Sequence, residues 1–192
     1  ILRAGWDEGG AGAEVVAVDA ATGKALAPVD RIKAHTGEGI LHQAFLTLLV
    51  EGQGENMRLL LCRRSPLKRL WGGVLADSCA GHPLPGEGVA AATARRINEE
   101  LGIMREPDEL KHLGHVVYRE DHGDGRCECE WCEVYLARVK PGELHINQEE
   151  ISEVRRVALS ELDGYLQGHP EQLAPWLREA LSDPSIRTAL AM

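Results

Sequence analysis

The stretch Gly81-His82-Pro83-Leu84-Pro85-Gly86-Glu87, followed after seven residues by Arg95-Arg96-Ile97-Asn98-Glu99-Glu100-Leu101-Gly102-Ile103, decides how this chain is read. A loop punctuated by Pro and Gly runs into a helix expected from about Gly88 to Leu101. The alanines between Ala90 and Ala94 favour that state, and Gly102 sits where a helix stops. A loop and helix of this kind gather Glu87, Glu99 and Glu100, three carboxylates. Hard cations such as magnesium take oxygen ligands and share them with phosphates, so the pattern suits a cation-held diphosphate. Carboxylates on a helix are also ordinary solvated charges; it is their spacing against the glycines that favours the metal reading.

Outward from that unit the periodicity alternates. Val15–Asp19 reads as a strand ending in the turn Thr22-Gly23-Lys24, and a loop with Arg31, Lys33 and His35 follows. The apolar run from Ile40 to Val50 suits a strand buried on both faces. Gly52–Asn56 turns the chain, and Met57–Arg63 returns as the second arm of a hairpin. Val74–Ala80 is expected as a short strand. Leu113–Tyr118 and Glu128–Arg138 are expected as strands around the polar loop Glu120–Arg126, and a last helix over Pro170–Ser182. Strands interleaved with two or so helices indicate an α/β fold, an α/β/α sandwich with a mixed sheet. Residues 1–13, rich in Gly and Ala, read as a flexible leader, and 14–192 as a single domain.

Composition narrows the function. The 192 residues carry 30 acidic against 21 basic side chains, a formal charge of -9. That disfavours a nucleic-acid surface, which needs surplus Lys and Arg to neutralise phosphate. No apolar run approaches the ~20 residues of a membrane span. Ile1–Trp6 lacks the cationic and apolar order of an export signal. Five cysteines, at 62, 79, 127, 129 and 132, are an odd set for a disulfide framework, so a cytoplasmic location is expected. Cys127, Cys129 and Cys132 do not make the two separated pairs of a structural zinc site.

Imidazoles and carboxylates form a second, scattered set. His35 and His42 flank the start of the Ile40–Val50 strand and His82 follows another strand. Glu128 and Glu130 share a face if Glu128–Arg138 is extended. Two carboxylates held together repel unless a cation or proton intervenes. Three imidazoles and two carboxylates suit zinc, manganese or magnesium. Each His alone is more often an ordinary core or surface residue.

The Gly81–Ile103 pattern resembles the Nudix box, with Arg95-Arg96 where the usual form carries Arg-Glu. In order along the chain, His35, Leu41-His42-Gln43-Ala44-Phe45, Cys62-Arg63-Arg64-Ser65, Asp77-Ser78-Cys79-Ala80-Gly81-His82-Pro83, Arg95-Arg96, Glu99-Glu100-Leu101-Gly102, Tyr118, Glu128, Glu130 and Ala174-Pro175-Trp176 resemble type I isopentenyl-diphosphate isomerases, a Nudix-fold branch with the same altered box. The resemblance spans about residues 14–182. It implies a Nudix-type sandwich that moves a double bond in a five-carbon diphosphate by protonation and deprotonation. It also implies a protein-bound metal (Zn2+, Mn2+ or Mg2+) at His35, His42, His82, Glu128 and Glu130. Glu100 would hold a Mg2+ shared with the substrate. Arg31, Arg64, Lys68 and Arg96 would bind the diphosphate, Glu130 with Tyr118 would deliver the first proton, and Trp176 would face the carbocation. The partner implied is a small prenyl diphosphate, and the chain a monomer or homodimer.

One position departs. The family's catalytic cysteine aligns with Ala80, and Cys79 beside it is expected to face the other side of its strand. Leu75, Asp77 and Gly72 stand where the family usually has tryptophan, asparagine and proline. Either the alanine replaces a native cysteine, or the chain is a natural divergent member. The alternatives are a protonation-initiated cyclase or hydratase acting on a longer prenyl diphosphate, with Leu75 widening the pocket; a Nudix hydrolase, weakened as a reading by Arg96 in place of the box acid; or a binder that does no chemistry.

Overall fold

The computed structural model describes residues 13–168 and 170–192. The expected leader, 1–13, lies outside the described residues save Ala13. The chain runs β1 (Glu14–Val18), β2 (Ala25–Asp30), α1 (Arg31–Ala34), β3 (His42–Glu51), β4 (Arg58–Arg64), β5 (Leu75–Ala76), β6 (Cys79–Gly81) and α2 (Val89–Leu101). It continues through β7 (Lys111–Asp121), β8 (Cys127–Val139), β9 (Ile151–Ala158), α3 (Leu162–Gly168), α4 (Pro175–Ser182) and α5 (Pro184–Ala191).

β3 is the axis. Along one edge it pairs in parallel with β8, from His42 opposite Glu130 to Glu51 opposite Val139. Along its other edge three strands take turns: β1 at His42, β6 at Phe45–Thr47 and β4 at Leu49–Glu51, all antiparallel. β7 extends the sheet beyond β8, and β9 and β5 pair with β4. The sheet is therefore mixed, as expected.

Both faces of β3 are covered, which is why its sequence is nearly all apolar. Ala44, Leu46, Leu48 and Val50 pack with Val134 of β8 and with Trp176, Leu177, Leu181 and Ile186 of α4 and α5. Phe45 and Leu49 pack on the opposite side with Ala92, Ile97 and Leu101 of α2. The result is the expected helix–sheet–helix sandwich. Gly102 ends α2 at φ 68, the left-handed conformation that favours glycine.

The structure corrects several boundaries. The expected strand Val74–Ala80 is two pieces, broken at Asp77-Ser78, because β5 belongs to β4 and β6 to β3. The Ser78 hydroxyl holds the fork where β6 enters: it donates to Leu60 O at 2.6 Å and accepts from Leu49 N at 2.8 Å. The expected helix over Pro170–Ser182 begins only at Pro175, whose ring suits the first helical turn. Its first part is a 3-10 turn, Pro170–Gln172. β2 and β9 were not expected from the pattern: β2 carries Pro28 and is mostly exposed, and β9 is interrupted by Glu153, Arg155 and Arg156. α3 and α5 also exceed the two or so helices expected.

Ser78→Ala should lower unfolding free energy by about 2 kcal/mol, since a buried backbone donor and a buried acceptor both lose a partner. Urea denaturation checks this, and an unchanged midpoint would show that the fork does not depend on the hydroxyl.

Candidate active site and metal centre

Strand register brings the site together. Tyr118 of β7 lies opposite Glu130 of β8, and Glu130 lies opposite His42 of β3, so three site residues share one level across the sheet. Glu128 sits two residues earlier on the same face of β8. His35 comes from the end of α1, whose final turn reaches this edge, and the backbone N–H of Cys127 donates to His35 O at 3.0 Å. His82 follows directly on β6. The three imidazole centroids are 4.6, 5.2 and 5.0 Å apart.

The ligand atoms of His35, His42, His82, Glu128 and Glu130 all lie within 4.8 Å of one another. Their hydrogen bonding shows what the cluster lacks. His35 Nδ1 bonds to Arg31 O at 2.8 Å and His42 Nδ1 to Ile40 O at 2.7 Å. A carbonyl only accepts, so each Nδ1 carries the hydrogen. In the neutral ring, Nε2 is then a lone pair. Yet His35 Nε2 is 3.1 Å from Glu128 Oε2 and His42 Nε2 is 3.7 Å from Glu130 Oε1, acceptor against acceptor. His35 Nε2, His42 Nε2 and Glu128 Oε2 are buried without a hydrogen-bond partner among the described residues. A proton would relieve one such contact; a divalent cation relieves all of them. Backbone carbonyls behind imidazole ligands are the usual means of fixing tautomer and ring direction. The donor set fits a borderline or hard divalent ion.

Burial shapes the protonation states. It drives His82 down to about 3, partly offset by Glu130, so that ring is neutral. Burial also works against the His35 imidazolium, but the Glu128 carboxylate outweighs it and raises the group. Glu128 is raised by burial and by the Glu130 charge beside it. Glu130 is buried too, yet the His42 and His82 contacts hold it well below the carboxylate range. The Tyr118 hydroxyl donates to Glu130 Oε2 and is pushed well above its ordinary value by burial and by that carboxylate. The proton of this pair therefore rests on the Tyr118 oxygen.

A cavity of about 460 Å³ opens over the cluster, within the range of small-ligand sites. His35, His82, Glu128, Glu130, Tyr118, Trp176, Ala80, Arg31, Arg64 and Lys68 all line it. Arg96 and Glu100 do not. They stand behind Ala80, where Arg96 pairs with Glu100, with Glu99 at 2.9 Å and with Glu150 at 3.5 Å. Glu100 borders a side chamber of about 20 Å³, room for one water, together with Arg64, Lys68, Asp77, Cys79, Ala80 and Glu150.

β6 pairs with β3 without a bulge, Leu46 opposite Ala80 and Thr47 opposite Cys79. Ala80 therefore lines the cavity, while Cys79 packs on the α2 side with Phe45 and Ile97. Burial also pushes the Cys79 thiol well up. Leu75, expected to widen the pocket, is instead 2% exposed in the core and is not among the cavity residues. Its carbonyl accepts from Ala174 N at 2.8 Å.

Two functional candidates were missed. Glu150, in the loop before β9, pairs with Lys68 and lines the cavity, and nothing in its polar surroundings singled it out. Asp77 was noted only as a departure. It is fully buried and accepts a hydrogen bond from Trp176 Nε1 at 2.7 Å.

The NUDIX domain model matches residues 40–182. An isopentenyl-diphosphate Delta-isomerase of Nocardia farcinica is 36% identical over 160 residues, 83% of this chain and 87% of that protein. One from Paenarthrobacter aurescens is 36% identical over 178 residues, 93% and 92% of the two chains. Among solved structures, a protein of Deinococcus radiodurans superposes with TM-score 0.63 at 19% identity, covering 91% of this chain and 98% of that one. A Nudix hydrolase of M. smegmatis, RenU, gives 0.55 at 19% identity, with 94% and 97% covered. At that identity the structural likeness speaks to fold, and the fold is Nudix; the sequence relatives go further. With the family model matching most of its length and relatives 36% identical over most of both chains, the chain belongs to the Nudix superfamily and, within it, to the isopentenyl-diphosphate Delta-isomerase family.

Proposed function

We propose that this protein interconverts isopentenyl and dimethylallyl diphosphates, with the second proton transfer slowed by Ala80. The observation that carries the reading is the Tyr118–Glu130 pair on the floor of a cavity that also exposes Trp176, Arg64 and Lys68. No helix among the described residues is long and apolar enough to cross a membrane. Residues 14–192 are taken to act as one domain.

Arg64, Lys68 and Arg31 on the cavity wall would anchor the diphosphate, with Arg96 supporting from behind Ala80. The alkene end would then lie toward Tyr118. Its hydroxyl, hydrogen-bonded to Glu130, would give its proton to the terminal carbon as the alkene π pair forms the new C–H bond; the O–H pair stays on Tyr118 as a phenolate, and positive charge is left on the branched carbon. The indole of Trp176 attracts that charge through its π face. His35, His42, His82, Glu128 and Glu130 would hold one divalent ion, and Glu100 a magnesium shared with the diphosphate. A bound ion supplies positive field that keeps Glu130 anionic and oriented. The return proton must leave from the carbon nearer the diphosphate, beside residue 80, and Ala80 has no group to take it. Cys79, on the other face of β6, does not substitute.

A longer prenyl diphosphate is the second reading. It loses its support from Leu75 but gains another: Leu67 and Ile32, 68% and 45% exposed, line the cavity with Leu70, an apolar wall where a tail could lie. Incubation with five-, ten- and fifteen-carbon diphosphates separates the two. Conversion of the five-carbon substrate alone supports the isomerase; products from only the longer ones favour the alternative.

Ala80→Cys should raise turnover on the order of 10²–10⁴-fold, the usual worth of a positioned acid–base group, read by deuterium exchange at both carbons. A variant that binds substrate yet exchanges at neither carbon contradicts the isomerase. His42→Ala should cut bound metal, counted by elemental analysis after gel filtration, at least about tenfold, because it removes a ligand from a buried set. Unchanged metal content would contradict the site.

A further inference from the structure

The proton transfer above makes no use of Asp77, the buried carboxyl between β5 and β6. A carboxylate in a protein interior is costly unless something positive or hydrogen-bonding answers it. Here the Trp176 indole N–H donates to Oδ1 at 2.7 Å, while Oδ2 is buried without a hydrogen-bond partner among the described residues. Arg64 is the nearby cation. Its guanidinium carbon stands 5.3 Å from the Trp176 ring centroid, and its Nε is likewise buried without a hydrogen-bond partner among the described residues. Trp71 meets the same indole edge-on at 5.5 Å. The indole is thus fixed at its N–H by a negative group, while a positive one lies over its face.

This arrangement exceeds what packing requires. A neutral acceptor would satisfy an indole N–H at far less desolvation cost. A carboxylate instead makes the bond charge-assisted and shifts electron density into the ring, deepening its attraction for a cation. In the structure described here Arg64 offsets part of that charge from nearby, its Nη2 donating to Leu70 O at 3.1 Å rather than to the carboxylate. Once Arg64 turns its charge to a substrate diphosphate, the Asp77 carboxylate is left to the next positive centre near the indole.

We propose that Asp77 is a positioning residue that acts through Trp176 to stabilise positive charge on the branched carbon of the substrate. The inference rests on the prenyl-diphosphate reading and adds to it a residue outside the metal cluster and the proton-donating pair.

The test compares two five-carbon diphosphates of the same shape, titrated calorimetrically at pH 8 into the magnesium-supplemented protein. One carries a protonated tertiary amine at the branched position, the other a neutral carbon. Asp77→Asn keeps an oxygen acceptor and removes the charge. It should weaken binding of the ammonium compound about tenfold and that of the neutral one by less than about twofold. Trp176→Phe keeps an aromatic face and removes the N–H; it should show the same selective loss, and Asp77→Asn added to it should then change nothing further. Equal losses for both compounds, or no loss for either, overturn the inference and leave the proposed function standing. If Asp77→Asn does not fold, retained ammonium selectivity in Trp176→Phe overturns it as well. An unmodified chain that binds neither diphosphate contradicts the proposed function and this inference together.

Discussion

At the start of β3 and β8, lone pairs face lone pairs. The backbone carbonyls of Arg31 and Ile40 fix the tautomers of His35 and His42, so that both rings present Nε2 to the carboxylates of Glu128 and Glu130. Such a cluster is unfavourable as an apolar-core arrangement and favourable only around positive charge. The rest of the site follows from this constraint. The anionic state of Glu130 places the proton on Tyr118, and the cavity opens where the cluster meets α4.

The parallel register of β3 on β8 is what allows the convergence. His42, Glu130 and Tyr118 lie 12 to 88 positions apart in sequence yet occupy one level of three neighbouring strands. β6 delivers Ala80 and His82 to the same cavity because Ser78 holds the fork between β3 and β4. The same regular pairing turns Cys79 to the α2 side. Identity at position 80 therefore decides whether the cavity holds a thiol on that wall, however near in sequence another cysteine stands.

Much of this was legible beforehand, for physical reasons. β3 announced itself because a strand covered on both faces must be apolar throughout. α2 did so through its alanines and its terminal Gly102. The five residues of the imidazole–carboxylate cluster were recognisable from their resemblance to a family, since periodicity alone says nothing about which distant imidazoles meet. What stayed hidden was set by tertiary context. β2 and β9 are edge strands whose Pro28 and charged residues mask the alternation. The break at Asp77-Ser78 depends on two different partner strands. Leu75 was placed by resemblance near the pocket, but α4 and its preceding turn cover it. The pairing of Asp77 with Trp176 joins residues 99 apart, and no local pattern foretells it.

Anomalous diffraction from crystals soaked in manganese tests the central claim most directly. The account predicts one peak about 2.0–2.3 Å from ring nitrogens of His35, His42 and His82 and from carboxylate oxygens of Glu128 and Glu130. Manganese bound only elsewhere, or imidazoles swung away from the two carboxylates with no ion between them, would contradict it.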